Sequence, residues 1–418
     1  MPPIHADLVR TYGTPQYVYR LDRFRAAAGT LRGALPPDTR LYYSLKANPH
    51  PGLAAALPDL GLHAEISSQG ELDTLRQAGT DPADSLYTGP AKTSDELLTA
   101  IRAGVRLFSV ESPRDLARLT AAARLHGTTV DYLVRLNAQG NAAGSGLRMT
   151  GRGASQFGID AETVKAGDPL FTRTDAARPV GVHLFPATNV PDQAALIREF
   201  DLSIRTAAAV LRTTGLTPRL VDIGGGFPAP FARPGPPPTW PALRQALERS
   251  LDAHLPGWRA GAPQIAFESG RRLAADCGTL LTTVLDVKDS RGTRYLVLDA
   301  GINVLGGMSG LGRVLSTGIQ PRPTGHGTGT APATLVGPLC SPLDVLGRKV
   351  DIEAVEPGTV LEIPNVGAYG LSASLVGFLS RPMPAEVLLD TDTVIEARRL
   401  ELTAARLARP AAAEDSRD

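Results

Sequence analysis

The chain has 418 residues, a formal net charge of +1, 43% hydrophobic and 20% charged residues, a composition typical of a globular protein with ample length for a full core. The balanced charge gives no electrostatic case for nucleic acid or an anionic membrane, and the apolar runs are too short to span a bilayer. Two cysteines cannot make a disulfide framework, so a reducing cytoplasm is the expected compartment, and the histidines show no metal-ligand spacing. The opening MPPIHADLVR lacks the basic-then-apolar signature of a secretion signal.

In chain order, Gln16 to Tyr19 reads as a strand able to join either unit of the fold. Arg40 to Lys46 is a strand and Pro51 to Leu57 a short helix. The strand His63 to Ile66 precedes a helix from Gly70 to Ala78, stopped by Gly79. Leu86 to Gly89 is a strand, Ser94 to Ala103 a helix, and Val105 to Val110 a short apolar segment. Ser112-Pro113 supplies an N-cap and a first-turn proline for a helix to His126. Val130 to Leu136 and Val180 to Phe185 are strands, with a long helix through Val190 to Leu211. Leu220 to Ile223 is the next strand. Leu243, Leu247, Leu251 and Leu255 recur at helical spacing before the strand Gln264 to Phe267. Eight short apolar strands separated mainly by helices predict a parallel (β/α)8 barrel over residues 20–275. Its one irregular stretch, Asn137 to Arg178, is rich in Gly, Ser and Thr, with a weak helix at best; a long loop of this kind is usually functional.

After Gly278 the texture changes. Leu280 to Val287, Arg294 to Leu298, Val350 to Val355, Thr359 to Ile363 and Ala385 to Leu389 read as strands between Gly/Pro-rich turns. Residues 1–19 and 276–405 therefore form a β-domain. Gly318 to Thr330 reads as a surface loop, and residues 406–418 as a disordered tail.

The C-terminal ends of barrel strands are where such folds place chemistry. Here those ends carry Lys46, Glu65, Asn137, His183, Gly224-Gly225-Gly226 and Glu268. Each has an ordinary alternative: a snorkelling lysine, a helix-start carboxylate, a satisfied core histidine, a simple turn. Together they suit one chemistry. A lysine can form a Schiff base, a glycine turn can close round a phosphate, and a carboxylate can hold a heterocyclic nitrogen protonated. Amine, phosphate and ring nitrogen are the three handles of pyridoxal phosphate.

The strings YYSLKAN, EISSQGEL, YTGPAKT, SQFGI, GVHLF, VDIGGGFP, FESGR, GPLCSPLD and GAYG follow one another as in the fold-type III pyridoxal-phosphate decarboxylases, and the chain resembles that family from Thr14 to the RPMPAEVLL at Arg381. The resemblance implies an alanine-racemase-like TIM barrel with a C-terminal β-sandwich or β-barrel domain. It implies Lys46 as the Schiff-base lysine, Glu268 as the acid on the pyridine nitrogen, and His183 stacked on the ring. It implies Gly224, Gly225, Gly226, Gly270, Arg271 and Tyr369 as cofactor contacts, with Glu65 near the ring. Cys340 and Asp344 match residues that reach the active site of the partner subunit, so a head-to-tail homodimer with shared sites is expected. Cys340 is expected to handle the proton returned to Cα. Cys277 is read as structural.

Three departures bear on substrate. Where the common members carry a phosphate-holding serine, this chain has Pro186, and Thr188 is the expected substitute. The region GINVLGGMSGLGRVLSTGIQP lacks the Arg-Pro and Tyr grip of diaminopimelate decarboxylases. GPLCSPLD lacks the glutamate those enzymes place after the cysteine. The chain therefore looks closest to the branch acting on conjugated amino acids, as in citryl-diaminopropionate of siderophore assembly or glutamyl units on a carrier protein. Arg148, Arg152 and Arg313 are either partners for extra carboxylates or solvated surface arginines. Diaminopimelate decarboxylation is the alternative activity, ahead of a racemase or a silent cofactor-binding protein.

Overall fold

The computed structural model describes residues 1–138, 147–148, 155–185, 187–306, 318–322 and 329–404. In chain order these form α1 (Pro3–Tyr12), β1 (Gln16–Arg20), α2 (Leu21–Ala34), β2 (Arg40–Ser44), α3 (Pro51–Ala55), β3 (His63–Ile66), α4 (Gln69–Gln77), β4 (Leu86–Tyr87), α5 (Ser94–Arg102), β5 (Leu107–Val110), α6 (Pro113–His126) and β6 (Val130–Asn137). Then come β7 (Leu147–Arg148), β8 (Ile159–Asp160), β9 (Ala177–Leu184), β10 (Ala187–Thr188), α7 (Gln193–Thr214), β11 (Leu220–Asp222), α8 (Leu243–His254), β12 (Gln264–Ser269) and α9 (Arg271–Ala274). The chain continues through β13 (Gly278–Ser290), β14 (Thr293–Leu298), β15 (Thr330–Val336), β16 (Val345–Glu353), β17 (Val360–Pro364), β18 (Ala385–Asp390) and β19 (Thr393–Arg399).

Eight strands close a parallel ring in the order β2-β3-β4-β5-β6-β9-β11-β12, with β12 returning to β2. One inward layer, Tyr42, Leu86, Leu133, Val180, Leu220 and Ala266, plugs the interior, leaving the C-terminal mouth for polar groups. The helices start where their caps dictate. The Ser112 side chain accepts the Asp115 N–H, Pro113 opens α6, and Gly127 closes it in the left-handed region. Thr93 and Glu96 form a reciprocal capping box on α5.

A separate mixed sheet runs β16-β15-β14-β13-β1-β18-β19, with β17 added to β13. The N-terminal strand β1 lies inside it, antiparallel to β13 and parallel to β18. Helix α1 covers part of this sheet. Its Leu8 packs with Val18, Leu281, Val387 and Leu389, and His5 Nδ1 lies 2.9 Å from Glu362 Oε1. Among the described residues no helix is long and apolar enough to cross a membrane.

Several expectations change. Helices α1 and α2, strands β15 and β19 and the end of β2 at Ser44 differ from the sequence reading. At the start of the expected surface loop, Gly318 and Gln320 are exposed while Ile319 and Pro321 are buried. Ile319 is buried and donates its N–H to Leu346 O, while Gln320 and Arg322 donate to Ala232 O and Glu362 O. Between β6 and β9 the described part of 137–178 holds no helix beyond two short 3-10 turns, along with β7 and with β8, which pairs with β6. The expected disordered tail and Arg152 lie outside the described residues.

Candidate active site at the barrel mouth

Lys46 sits on a 3-10 turn, Leu45–Ala47, directly after β2. Leu45 and Ala47 are buried and anchor the turn. Loops of the second sheet hold it from outside: Tyr369 N–H donates to Ala47 O at 2.8 Å, and Asn48 Nδ2 to Gly367 O at 2.8 Å. The side chain is thereby aimed into the mouth, where it keeps 39% of its exposure. Its ammonium donates to both oxygens of Glu65 at 3.3 and 3.2 Å, and Nζ lies 5.6 Å from the centre of the Phe185 ring. Burial opposes the charge on Lys46, but the carboxylates of Glu65 and Glu268 more than offset it and raise its pKa above the ordinary lysine range.

Glu65 ends β3 and is 2% exposed. Burial alone would raise its pKa. The Lys46 charge and hydrogen bonds from Ser44, Thr88 and Lys46 instead bring it down to about 2. One turn on, burial and the Glu65 charge push Glu71 up to about 7, against the Ser67 N–H that donates to it.

Across the mouth, His183 on β9 is fully buried, with Nδ1 2.8 Å from Ser109 Oγ. Its Nε2 lies 3.1 Å from Glu268 Oε1 on β12 but without the alignment of a hydrogen bond, so both atoms are left without a partner. Asp222, at the end of β11, completes a trio whose ligand-type atoms all fall within 4.8 Å of one another. Burial and the Glu268 charge hold the Asp222 pKa well above the usual carboxylate range.

The turn Gly224-Gly225-Gly226 follows β11. Gly224 has φ +76°, and a Cβ there would sit 2.3 Å from Leu184 O. A Cβ on Gly225 would sit 2.2 Å from Glu268 O. The turn is wedged between the ends of β9 and β12, and glycine alone fits. Gly270 likewise lets the segment after Glu268 pass against the Lys46 turn, since a Cβ would meet Ala47 Cβ at 2.7 Å. The Arg271 guanidinium lies 4.6 Å from the centre of the Tyr369 ring, its Nε is buried without a partner, and burial lowers its pKa. Thr188 lies on β10, paired with Leu147 on β7; Ala187 faces Arg148 in the same ribbon, and Val190 N–H ties this segment to Gly226 O at 2.9 Å.

Lys46, Glu65, His183, Gly224 to Gly226, Glu268, Gly270, Arg271 and Tyr369 thus converge on one mouth. Other expected residues do not join them within this chain. Asn137 Nδ2 donates to Asp160 Oδ1 at 3.4 Å. Cys340 is exposed on a loop of the second sheet. Asp344, expected to face a substrate, is turned inward: it accepts the Ile302 N–H at 2.8 Å and the Leu339 N–H at 2.7 Å, bracing the Cys340 loop. Arg313 lies outside the described residues. Asp222 and Phe185 were missed from sequence. The acid stands two residues before the glycine turn, and the aromatic two residues after His183; those positions were the available signals.

The arrangement suits pyridoxal phosphate. It offers an amine for an aldehyde, a buried acid with an unpartnered oxygen for a ring nitrogen, and a cradle that a Cβ would fill for a phosphate. Comparison with known proteins agrees. Residues 21–275 match the family described as pyridoxal-dependent decarboxylase, pyridoxal binding domain, and the chain belongs to the pyridoxal-dependent decarboxylases. It is 30% identical over 404 residues to diaminopimelate decarboxylase of Vibrio cholerae, spanning 95% of this chain and 92% of that protein. It is 28% identical over 394 residues to L-glutamyl-[BtrI acyl-carrier protein] decarboxylase of Niallia circulans, spanning 91% and 90%. The fold matches that of Helicobacter pylori diaminopimelate decarboxylase complexed with L-lysine, with TM-score 0.80 and 24% identity over 94% of this chain and 95% of that one. The protein is therefore a pyridoxal-phosphate-dependent carboxy-lyase acting on an amino-acid substrate. The racemase and silent-binder alternatives fall away, because the matching family is one of decarboxylases.

Proposed function

We propose that this decarboxylase acts on an amino-acid unit held within a larger conjugate, such as a carrier-protein-linked or citryl-linked one, in a homodimer whose two chains share each active site. The observation that carries the catalytic part is the convergence of Lys46, Glu65 and Glu268 with the glycine turn at one barrel mouth. Pyridoxal phosphate, when bound, supplies an aldehyde for amines and a ring that accepts the electron pair left as CO2 departs. Lys46 would hold its aldehyde carbon, Glu268 its ring nitrogen and His183 its ring face. Gly224 to Gly226, Thr188, Arg271 and Tyr369 would hold its phosphate. Glu65 keeps Lys46 charged at rest, so the amine must give up a proton before it reacts.

Two observations support the finer reading of substrate. The stretch from Gly301 to Pro321 carries no Arg-Pro and Tyr pair, and a carrier-protein decarboxylase is among the relatives matched over nine-tenths of the chain. Arg148, in the ribbon beside Thr188, and Arg313 are the candidates for added carboxylates. The shared site is supported by the surface around Cys340. Leu343, Leu375, Phe378 and Leu379 are exposed apolar residues on its own loop and the neighbouring one, which Arg381 ties together by donating to Pro338 O at 2.9 Å. In this reading Cys340 of the partner subunit returns the proton to Cα.

Lys46→Ala is expected to lose the borohydride-sensitive visible band and turnover; normal turnover in that variant refutes the assignment. Mixing Lys46→Ala with Cys340→Ala protein is expected to restore part of the activity through hybrid dimers, and none returning despite demonstrated subunit exchange refutes the shared site. CO2 release is to be compared across meso-diaminopimelate, ornithine, lysine, citryl-diaminopropionate and a glutamyl-loaded carrier protein. If meso-diaminopimelate is the best substrate, the conjugate reading is wrong and diaminopimelate decarboxylation replaces it.

A further inference from the structure

Asp222 is a buried acid that the cofactor assignments above leave without a role. It ends β11 with 0% exposure, and its Oδ1 accepts the Gly224 N–H at 2.9 Å. Its Oδ2, Glu268 Oε1 and His183 Nε2 are all buried without a hydrogen-bonding partner, in a cluster where the three groups lie within 4.8 Å of one another. Two carboxyl groups this close in a dry site oppose each other's ionisation, and burial with the Glu268 charge pushes Asp222 towards its protonated form. The charged groups that act on Asp222 are Glu268 and Glu65, which favour its protonation, and Arg135, which opposes it; burial favours protonation most. Glu268 stands beside His183, and its charge acts on the Lys46 ammonium.

We propose that Asp222 is a positioning residue that carries the shared proton of a carboxyl pair with Glu268, leaving Glu268 as the carboxylate for the ring nitrogen. The other oxygen of Asp222 meanwhile orients the first peptide of the glycine turn. One side chain thus couples the acid that meets the ring to the turn that meets the phosphate. The inference rests on reading Glu268 as the ring-nitrogen acid.

The experiment measures the dissociation constant of pyridoxal phosphate for the apo-protein by fluorescence titration, together with the position of the visible band and the melting temperature. Asp222→Asn keeps an oxygen for the Gly224 N–H and a neutral donor towards Glu268. It is expected to bind the cofactor within about threefold of wild type, whereas Asp222→Ala, which removes both contacts, weakens binding by about tenfold or more. An Asn variant that melts as the wild type does yet binds as poorly as the Ala variant overturns the proposal, because a charge was then required. Glu268→Gln separates the two claims: unchanged cofactor affinity in that variant sinks the Glu268 reading itself. Should the Asn variant not fold, infrared spectra of wild-type apo-protein grown with carboxyl-labelled aspartate decide the matter. A label-sensitive protonated-carboxyl band at neutral pH is expected, and its absence overturns the proposal.

Discussion

The pair Lys46–Glu65 shows how the site keeps a reactive amine dormant. Each partner steadies the other's charge, and the signs of their shifts set where that stabilisation holds. Glu65 is depressed from an ordinary 4.5 to about 2, so its contribution is present above the unfolded value and is lost as pH falls through the folded one. Lys46 is raised, so its contribution is lost only on the alkaline side of the ordinary lysine range. Glu71 runs the other way. Its pKa rises from 4.5 to about 7, so the folded state holds the extra proton and stability declines as pH climbs through that window. The melting temperature of the apo-protein is therefore expected to drop below pH 4.5 and to sag on approach to pH 7. Glu65→Gln should flatten the acid limb, worth about 2 kcal/mol once screening at the half-open lysine is allowed for. Glu71→Gln should flatten the neutral sag. If both variants keep the wild-type profile, the charge assignments at this mouth are wrong. Glu65→Gln should also let the apo-protein capture pyridoxal phosphate at lower pH, because Lys46 then releases its proton more easily.

At the scale of elements, the glycine turn and helix α1 make opposite demands. Gly225→Ala pushes a methyl to 2.2 Å from Glu268 O, in a wedge of backbone that cannot give way. Overpacking of that kind costs about 1–3 kcal/mol, so cofactor affinity should fall by tenfold or more; affinity unchanged in the alanine variant would mean the turn has slack. Leu8→Ala on α1 instead empties the satellite core over the second sheet. It should cost about 2–3 kcal/mol of stability, read as a lower melting temperature, with turnover at room temperature unaffected. The same two elements mark what a reader of the sequence can and cannot find. The barrel strands are legible because each is a short apolar run bounded by turns, and Gly224 to Gly226 because glycines in a row advertise a backbone need. Helix α1 is not, since it buries only His5 and Leu8, too narrow a stripe for a periodic signal. Helix α2 hides because Ala27 and Ala28 take two of its five buried positions. Strand β15 carries Pro332, which reads as a break, and β19 lies at the sheet edge, largely exposed and without alternation. Asp222 shows the limit at the site. Its position before the turn is visible in one dimension, but its approach to Glu268 and His183 exists only once β9, β11 and β12 pair in register.

Across the whole molecule, the second sheet serves the barrel it adjoins. The chain passes between the two through α2 and again through α9. From the far side, Tyr369 and Ser372 donate to the Ala47 carbonyl, and the Gly367 carbonyl accepts from the Asn48 side chain. The Lys46 turn is thus fixed by residues more than 300 positions away in sequence. The loops beyond that grip end in solvent-facing Leu343, Phe378 and Leu379 around Cys340. An isolated chain gains nothing from apolar side chains held there, with Leu379 in the left-handed region at φ +57°. In the homodimer proposed above, a second copy would bury them and carry each Cys340 to the other's barrel. The double variant Leu343→Asp, Phe378→Asp places charge in that contact without touching the cofactor residues. It should sediment as a monomer, bind pyridoxal phosphate within about threefold of wild type, and lose about a hundredfold or more in turnover. Wild-type specific activity should correspondingly fall on dilution below the dimer dissociation constant. A monomeric variant that turns over at the wild-type rate would mean that one chain suffices. Cys340 would then be a surface thiol, and the proton returned to Cα would have to come from a group within the same barrel.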